Sequence, residues 1–304
     1  MTWLQDTIGI RVPVVGAPMA GPADGRLAHA VSAAGALGMV GVGNTRDGDW
    51  VTAQAAVAAA GGTPYGLGLT AWALERHPDQ LDAVLALEEA PALVSVSFGE
   101  FAGPVRRLRE AGIRTATQVG NVTDLRTALA AGVDVVVARG AEAGGHGRNQ
   151  LATLPLLQLV LAEAGGAPVL AAGGILDRRG VAAVLAAGAA GAWVGTAFLG
   201  CVEAANTAAA RRALFAASET AYGRVFDVAQ RAPWPREFGG RAVRNGFFDR
   251  WTGHEDGLDE AAAAEHAAAQ RAGDYATAHL YAGEGVVALH EERTAAEVVA
   301  SLTP

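Results

Sequence analysis

Residues 133–147 read VDVVVARGAEAGGHG and contain the pattern on which the fold prediction depends. The apolar, β-branched residues at 133–138 predict a buried strand, and the glycine-rich segment after it predicts a turn that carries His146. Two shorter glycine turns follow at the spacing of a repeat, in AAGGI at 171–175 and in VGT at 194–196. Strands that end in such turns and alternate with helices are typical of an α/β fold.

The same strand-turn-helix cadence runs from about residue 12 to residue 198. Eight β-rich runs are nearly all apolar rather than alternating, as expected for parallel strands that are covered by helices. Alanine- and leucine-rich segments of helical period separate them, and many of these segments end in Ala-Gly. The predicted strands are 12–16, 38–42, 65–69, 92–98, 114–119, 133–138, 168–172 and 191–198.

Eight such units predict a (β/α)8 TIM barrel, and a doubly wound open sheet is the alternative that the cadence alone leaves open. The glycine turns after the seventh and eighth strands favour the barrel, because barrels commonly bind phosphate there. The turn after the first strand, GAPMAG at 16–21, lacks the GxGxxG pattern of dinucleotide-binding sheets.

The sequence changes in character beyond residue 200. Residues 232–257 are rich in aromatic residues and arginine, a helix is predicted around 259–272, and YAGEG at 281–285 precedes a final helix. We therefore expect a barrel core at 1–200 and a helical or irregular C-terminal extension at 201–304 that packs on the barrel and covers its mouth. The segment 234–251 is interpreted as a lid or as a subunit interface, which leaves a homo-oligomer open.

Charge and patterning exclude several classes of partner. The net charge is −8 and no basic run occurs, which argues against nucleic acid and against anionic membrane surfaces. Residues 180–202 carry no formal charge, but five glycines interrupt them, so we reject a membrane span. The first six residues lack the basic region of a signal peptide, and we expect a cytoplasmic protein.

All 23 basic residues are arginine. The absence of lysine excludes Schiff-base aldolases, pyridoxal phosphate enzymes and Walker-type nucleotide sites, so a bound phosphate would need backbone N–H groups, hydroxyls or arginine. The single cysteine, Cys201, lies in an apolar stretch and is expected to be buried. The seven histidines show no metal-binding spacing, and we predict no metal site.

Active sites of barrels lie at the carboxyl ends of the strands. His146 is the candidate catalytic residue there, since imidazole suits proton transfer and the glycines around it allow a ligand to approach closely. Glu142 is either a second base or a structural hydrogen-bond acceptor. The remaining candidates, which lie in the predicted strands or in the turns after them, are Ala17, Pro18, Met19, Gly68, Gln118, Arg139, Gly144, Gly145, Gly173, Gly174, Trp193, Val194, Gly195 and Thr196.

The chain resembles the nitronate monooxygenases, FMN-dependent enzymes formerly called 2-nitropropane dioxygenases. The resemblance covers nearly the whole chain, and its EAGGH, AAGGI and GT motifs are specific to this flavin superfamily rather than to one reaction within it. The matching stretches are GAPMAG at 16–21, RGAEAGGH at 139–146, AAGGI at 171–175, GTAFL at 195–199 with Glu203 shortly after, GRAVRN at 240–245 and YAGEG at 281–285.

The resemblance implies a TIM barrel that holds FMN without a covalent bond. The flavin ring would rest on 17–19 with Gln118 and Arg139 along its polar edge, and the phosphate would bind the turns at 173–174 and 195–196. Gly144 and Gly145 would add backbone contacts. The implied reaction oxidises alkyl nitronates with O2 to carbonyl compounds and nitrite. His146 would bind the nitro oxygens or take the α-proton of a neutral nitroalkane.

Three residues depart from the family pattern. Arg139 and Glu284 stand where glutamine is common, and Gly68 stands where an asparagine often contacts the cofactor. A guanidinium at 139 suggests the hypothesis that it stabilises anionic reduced flavin. Two other functions stay open. One is an NAD(P)H-dependent FMN reductase of the same superfamily, such as an enoyl-acyl-carrier-protein or quinone reductase. The other is a flavin-binding barrel without catalysis.

Overall fold

The computed structural model of the protein describes residues 2–304. Eight parallel strands close into a barrel in which each strand pairs with the next and the last pairs with the first, which confirms the predicted TIM barrel. A second, antiparallel sheet has the order β10-β11-β7. The strands of this part of the chain are β1 (Val14–Gly16), β2 (Leu37–Gly41), β3 (Tyr65–Thr70), β4 (Leu93–Ser97), β5 (Thr115–Val119), β6 (Val135–Arg139), β7 (Gly145–Gly147), β8 (Val169–Ala172), β9 (Gly191–Val194), β10 (Thr220–Gly223) and β11 (Gly239–Val243).

Helices cover the outside of the barrel between successive strands. Several of them begin at an aspartate or asparagine whose side chain accepts hydrogen bonds from the first turn, as at Asp24, Asp47 and Asn121. Across residues 2–304, no helix is both long and apolar enough to cross a membrane. The helices are α1 (Gly25–Ala33), α2 (Gly48–Ala58), α3 (Pro78–Leu85), α4 (Ala102–Glu110), α5 (Val122–Ala131), α6 (Thr153–Glu163), α7 (Arg178–Ala186), α8 (Ala208–Ala216), α9 (Val225–Ala229), α10 (Gly246–Trp251), α11 (Glu260–Ala272) and α12 (Ala295–Leu302).

The predicted eighth strand, 191–198, is longer than the observed strand. β9 ends at Val194, and Thr196–Phe198 form a short 3-10 turn instead. The turn begins at Gly195, where the chain leaves the barrel wall. An apolar run does not distinguish a strand from a short helical turn that is equally buried, and this is why the sequence pattern overextends the strand.

Two apolar layers hold the barrel together. The strands bury their outward side chains under the helices, and their inward side chains, including Val15, Met39 and Trp193, fill the barrel interior. Leu4 belongs to the interior layer and contacts the first residue of β9, Gly191, at a distance that leaves no room for a side chain there. The N-terminal segment therefore closes the amino ends of the strands. Both faces of each strand are buried, which explains the continuous apolar runs in the sequence.

The C-terminal extension has its own small core and then returns to the barrel. Phe226, Phe247 and Phe248 form the centre of that core. The last helix, α12, packs against α1 and α7, and its Val298 and Leu302 belong to the layer between strands and helices. The end of the predicted C-terminal extension thus lies in the ring of helices around the barrel. The chain between β9 and α12 is therefore an insertion in the barrel, and α12 completes the ring of helices around the strands.

Cys201 lies fully buried in the layer between strands and helices, as its apolar surroundings in the sequence predict. Burial raises the pKa of its thiol to about 12, so the thiolate does not form near neutral pH. A thiol without thiolate character and without access to solvent is inert as a nucleophile. Cys201 is therefore a packing residue.

Two histidines pair inside the core of the extension. His279 Nδ1 lies 3.1 Å from His266 Nε2, and the two rings are stacked. Burial lowers the pKa of His266, and burial together with the neighbouring His266 lowers the pKa of His279 to about 3. Both rings are therefore neutral at pH 7 and act as packing residues.

This pair predicts that the protein loses stability in mild acid. An unfolded histidine has a pKa of about 6.5, so below that pH the unfolded chain binds protons that the folded pair does not bind. The stabilisation is present above about pH 6.5 and is lost as the pH falls towards 3, by up to about 1.4 kcal/mol per pH unit for each such proton. Chemical denaturation at a series of pH values measures the slope, and we expect His279→Gln to reduce it.

The matched control for this prediction is His290→Gln, since His290 is exposed and lies outside the pair. This variant should keep the wild-type slope of stability against pH. An equal slope in wild type and His279→Gln would contradict the assignment of the acid sensitivity to the buried pair.

Candidate active site at the mouth of the barrel

The turn after β1 lies across the ends of two other strands. The ring of Pro18 occupies the space that a side chain at Gly68 of β3 would need. A methyl group at Gly195 would lie 3.3 Å from Met19 Sδ and 3.5 Å from Ala17 Cβ. Five predicted site residues thus lie together at one edge of the mouth: Ala17, Pro18, Met19, Gly68 and Gly195. The asparagine that is common at position 68 in the family does not fit beside this proline.

The glycine turns after β8 and β9 present unpaired backbone donors. Gly173 and Gly174 have φ of 113° and 67°, which a residue with a side chain rarely adopts. Within residues 2–304, the N–H groups of Gly174, Ile175 and Thr196 donate no hydrogen bond. Because β8 and β9 are adjacent, the two sets of donors lie at the same side of the mouth. Such successive N–H groups suit an anion.

The YAGEG segment at 281–285 closes over these turns. The N–H of Gly283 donates to Thr196 Oγ1 at 2.9 Å, and the N–H of Glu284 donates to the carbonyl of Glu142 at 2.9 Å. Gly283 also contacts Gly144 so closely that neither position has room for a side chain. Two motifs that lie far apart in the sequence therefore build one wall of the site.

His146 lies on β7, opposite Gly240 of β11. Its Nε2 is 2.7 Å from Oδ1 of Asp227 on α9. An ionised carboxylate only accepts hydrogen bonds, so the imidazole proton lies on Nε2 and the lone pair lies on Nδ1. The side chains of His146 and Asp227 are 9% and 1% exposed. Burial lowers the pKa of His146 more strongly than Asp227 raises it, so the ring is held neutral.

Trp234 covers the imidazole of His146. The two rings are stacked with centroids 3.6 Å apart and planes within 3° of each other, and Tyr281 lies at 5.0 Å on a tilted plane. The rings of Trp72 and Phe98 lie nearly perpendicular to the indole, with centroids 5.2 and 5.5 Å from its centroid. This packing supports the lid interpretation of the aromatic segment, whereas a homo-oligomer stays a prediction.

Asp227 was missed by the sequence analysis. It lies in VFDVA at 225–229, where an acidic residue interrupts an otherwise apolar helix. A buried carboxylate needs a partner, so such a residue is a signal that sequence reasoning can use. Its partner lies 81 residues away in the chain and is not identifiable from local pattern.

Arg139 at the end of β6 holds the loop that carries His146. Its Nη2 donates to the carbonyls of Ala143, Gly144 and Gly145 at 3.1, 2.9 and 2.9 Å. The guanidinium leaves no room for a side chain at Gly147. Burial lowers the pKa of Arg139 to about 10, so it stays charged at neutral pH. Arg139 thus makes its hydrogen bonds to the loop through Nη2 alone. Its Nε and Nη1 could still contact a flavin, and that contact stays a prediction.

Glu142 has a structural role. Its carboxylate accepts hydrogen bonds from the N–H and the hydroxyl of Thr153 at the start of α6, each with an oxygen at 2.9 Å. Of the two roles predicted for Glu142, a second base or a structural hydrogen-bond acceptor, these contacts support the structural one. Glu284, which replaces a glutamine of the family, is half exposed and lies 3.3 Å from Arg241.

The remaining candidates differ in how they face the mouth. Gln118 of β5 is partly exposed, and its side-chain amide makes no hydrogen bond within the part of the chain that the structure describes. Trp193 points into the barrel interior, and Val194 points towards the helices. The carbonyl of Val194 accepts from the N–H of Ala17 at 2.8 Å. The side chain of Trp193 therefore packs inside the barrel below the mouth, and that of Val194 packs outside the barrel under the helices.

The family model and a relative that matches over nearly its full length indicate the same family. The sequence model of the nitronate monooxygenase family matches residues 73–304. A nitronate monooxygenase of Paraburkholderia phytofirmans is 32% identical over an alignment that covers 98% of this chain and 93% of the relative.

Two solved structures have the same architecture along almost their whole length. A nitroalkane oxidase from Streptomyces ansochromogenes has a TM-score of 0.82 and 29% identity, with 98% of this chain and 96% of that chain covered. FabK from Thermotoga maritima has a TM-score of 0.84 and 26% identity, with 99% and 94% covered. From the family match and the full-length relative, the chain belongs to the nitronate monooxygenase family of flavin-dependent oxidoreductases.

Proposed function

We propose that this protein binds FMN without a covalent bond and oxidises alkyl nitronates with O2 to carbonyl compounds and nitrite. The observation that carries the proposal is the placement of a neutral imidazole, held by Asp227, at the same barrel mouth as two turns with unpaired N–H groups. Unpaired donors suit a phosphate, and an oriented imidazole with a free nitrogen suits proton transfer.

The residues at the turns fit the phosphate of FMN. A phosphate here must be held without lysine, and the N–H groups after β8 and β9 have no partner within residues 2–304. Gly174 is exposed at the mouth, so the donors are accessible to a ligand. Thr196 adds a hydroxyl whose oxygen is already oriented by the N–H of Gly283. This donor set is neutral and directional, as phosphate sites of barrels commonly are.

The neighbouring turn after β1 and the ends of β5 and β6 fit a flat ring with a polar edge. Ala17 and Gly195 present little bulk there, and Pro18 packs on Gly68. The free amide of Gln118 can donate to or accept from the polar edge. The Nε and Nη1 groups of Arg139 make no hydrogen bond with the described residues and supply positive charge at the same edge. When bound, FMN supplies the electron acceptor for the oxidation.

His146 acts through Nδ1. The lowered pKa keeps the ring neutral, so Nδ1 can take the α-proton of a neutral nitroalkane, and Asp227 then stabilises the imidazolium. With a nitronate, which has already lost that proton, the ring only has to hold the nitro oxygens. The two substrate forms therefore depend on His146 to different extents.

A second candidate function is an NAD(P)H-dependent FMN reductase, such as an enoyl-acyl-carrier-protein or quinone reductase. The TM-score of 0.84 against FabK from Thermotoga maritima supports it as well as the value of 0.82 against the nitroalkane oxidase supports the first. Fold and cofactor are shared by many reactions, so the reactions have to be separated by experiment. A flavin-binding barrel without catalysis is disfavoured by the oriented His146–Asp227 pair.

The first test mixes the FMN-loaded protein anaerobically with propyl nitronate and, separately, with NADPH and NADH. We expect the nitronate to bleach the flavin absorbance and nitrite to accumulate once air is admitted. If a nicotinamide bleaches the flavin absorbance and the nitronate does not, the protein is an FMN reductase rather than a nitronate monooxygenase. No response to any of them would support the non-catalytic alternative.

Asp227→Asn should slow the reaction of the neutral nitroalkane far more than that of the nitronate. The amide cannot stabilise an imidazolium, and we expect a loss of about 100-fold in kcat for the nitroalkane, a value typical of impaired acid–base catalysis. Asp256→Asn, at an exposed position of the extension, is the control and should behave as wild type. Equal losses of kcat with the nitroalkane and the nitronate would contradict the proposed role of Asp227 in proton transfer.

Gly174→Ala should weaken FMN binding about tenfold, because alanine at positive φ costs about 1–2 kcal/mol and distorts the turn. Gly166→Ala is the matched control, since Gly166 has φ of 89° in the turn between α6 and β8, at the opposite end of the barrel, with no atom near its Cβ position. Both variants should lower Tm. Only Gly174→Ala should raise the Kd for FMN, which fluorescence titration measures, and an equal rise in both would refute the phosphate assignment.

A further inference from the structure

Asp227, which holds His146, has one carboxylate oxygen without a hydrogen-bond partner. Oδ1 accepts from His146 Nε2 at 2.7 Å and from the hydroxyl of Tyr281 at 3.4 Å. Oδ2 is buried and makes no hydrogen bond within residues 2–304, and the side chain is 1% exposed. A carboxylate that is buried in this way tends to take up a proton unless a positive charge lies near it.

Arg224 supplies that positive charge. Its Nε lies 3.9 Å from Asp227 Oδ2. Within residues 2–304, Asp227 forms ion pairs only with Arg224 and His146, and His146 is neutral because burial lowers its pKa. A guanidinium stays protonated throughout the pH range of folded proteins. In this part of the chain, Arg224 is therefore the one permanent cation that pairs with the carboxylate.

The side chain of Arg224 is fixed by the lid segment 234–251. Its Nη2 donates to the carbonyl of Trp234 at 3.0 Å, and the indole of Trp234 is stacked on His146. Arg224 directly precedes α9, the helix that carries Asp227. Among the described residues, Asp227 is the only acid that pairs with Arg224, so no second carboxylate neutralises its charge.

The uncharged titratable groups around the His146–Asp227 pair do not replace this cation. Burial raises the pKa of the Tyr281 hydroxyl, so it is neutral at pH 7. Burial also lowers the pKa of His266 on α11, and burial with the neighbouring His266 lowers that of His279 to about 3. Both imidazoles are therefore neutral at pH 7 as well.

The other charged groups either face His146 or are paired or exposed. Arg139 faces His146 from β6, and after burial its charge and that of Arg224 lower the pKa of the imidazole. Arg241 of β11 lies 3.3 Å from Glu284. The charged residues of α10 and α11, which pack on α9, are exposed: Asp249, Arg250, Glu260, Glu265 and Arg271.

The number of protons on the His146–Asp227 pair decides what Nδ1 of His146 can do. With one proton, which lies on Nε2, Nδ1 has a free lone pair and is a base. A second proton gives either an imidazolium with a carboxylate, or an imidazole with a carboxylic acid that donates to Nε2 along the 2.7 Å hydrogen bond. In both forms Nδ1 carries the N–H and cannot take another proton. A fixed positive charge beside the pair disfavours the second proton.

We propose that Arg224 is a positioning residue that keeps Nδ1 of His146 free of a proton at neutral pH, by holding a permanent positive charge against Asp227. This inference rests on the proposed function. When a neutral nitroalkane reacts, its α C–H bond breaks, the electron pair stays on the substrate as the nitronate, and the proton goes to Nδ1. A nitronate has already lost that proton. Arg224 thus determines whether the protein uses neutral nitroalkanes in addition to nitronates.

The protonation of Nδ1 is measured without turnover by 15N NMR of histidine-labelled, FMN-loaded protein at a series of pH values. The signals of His146 are assigned by their loss in His146→Gln. In Arg224→Met, which keeps the length of the side chain and loses the charge, we expect half-protonation of Nδ1 at a higher pH than in wild type. Arg224→Lys, which keeps the charge, should titrate like wild type. An unchanged titration in Arg224→Met would overturn the proposal.

Initial rates with freshly diluted nitroethane, and separately with its nitronate, test the consequence for catalysis. On the acid side of the Arg224→Met titration, kcat for nitroethane should be about tenfold below wild type, the effect of a tenfold stronger binding of one proton. This loss should disappear as the pH rises. With the nitronate, kcat should stay close to the wild-type value. The control is Arg236→Met, at an exposed position of the lid segment, and it should match wild type with both substrates.

A clamp on the lid would be a different role for Arg224, and Arg224→Gln separates the two roles. Its amide can still donate to the carbonyl of Trp234 but carries no charge. We expect Arg224→Gln to behave as Arg224→Met, and it replaces the methionine variant if that variant does not fold. Equal losses with both substrates at every pH in Arg224→Met, with wild-type behaviour of Arg224→Gln, would assign Arg224 to the lid and overturn the proposal.

The inference and the proposed function fail in different ways. A shifted titration of Nδ1 in a protein that releases no nitrite would uphold the role of Arg224 and refute nitronate oxidation. Nitrite from the nitronate, with the same titration of Nδ1 in wild type and Arg224→Met, would uphold the oxidation and refute the role of Arg224.

Discussion

The hydrogen bonds from Arg139 to three successive carbonyls are the interaction on which the site depends. They bend residues 143–145 around one guanidinium, so that the chain emerges as β7 and can pair with β11. A buried arginine needs such compensation, and the two hydrogens of Nη2 are shared among the three carbonyls. Burial lowers the pKa of Arg139 to about 10, which leaves it charged and therefore still a strong donor at neutral pH. The loop, the position of His146 and the attachment of the extension follow from this one side chain.

The site is built jointly by the barrel and the extension. The barrel supplies the glycine turns and Gln118, which a barrel commonly places at its strand ends. The extension supplies Asp227, Trp234 and Tyr281, which surround the imidazole. The return of α12 to the barrel wall anchors the extension at both ends, so these residues are held against the mouth rather than carried on a free domain. Catalytic power and substrate access thus depend on an element that the barrel fold does not require.

Buried polar atoms without a partner and a strained backbone occur around His146. Asp227 Oδ2 is buried without a hydrogen bond, and its nearest cation, Arg224 Nε, is 3.9 Å away. The indole nitrogen of Trp72 is likewise buried without a partner, and Phe98 has a strained backbone. Such features cost stability and are typical of sites that bind or transform a ligand. They are absent from the His266–His279 pair, whose two rings satisfy each other, and that pair accordingly belongs to the core of the extension.

The sequence by itself determined the barrel, the two glycine turns and the histidine loop, because backbone sterics and the period of apolar residues act over a few neighbouring positions. It overextended the strand at 191–198, since an apolar run does not distinguish a strand from an equally buried helical turn. Only the tertiary structure decided that Asp227 holds His146, that Trp234 covers it and that Arg139 donates to the loop through Nη2. Those pairings join residues from separate elements, and they exist only once long-range packing has brought the elements together.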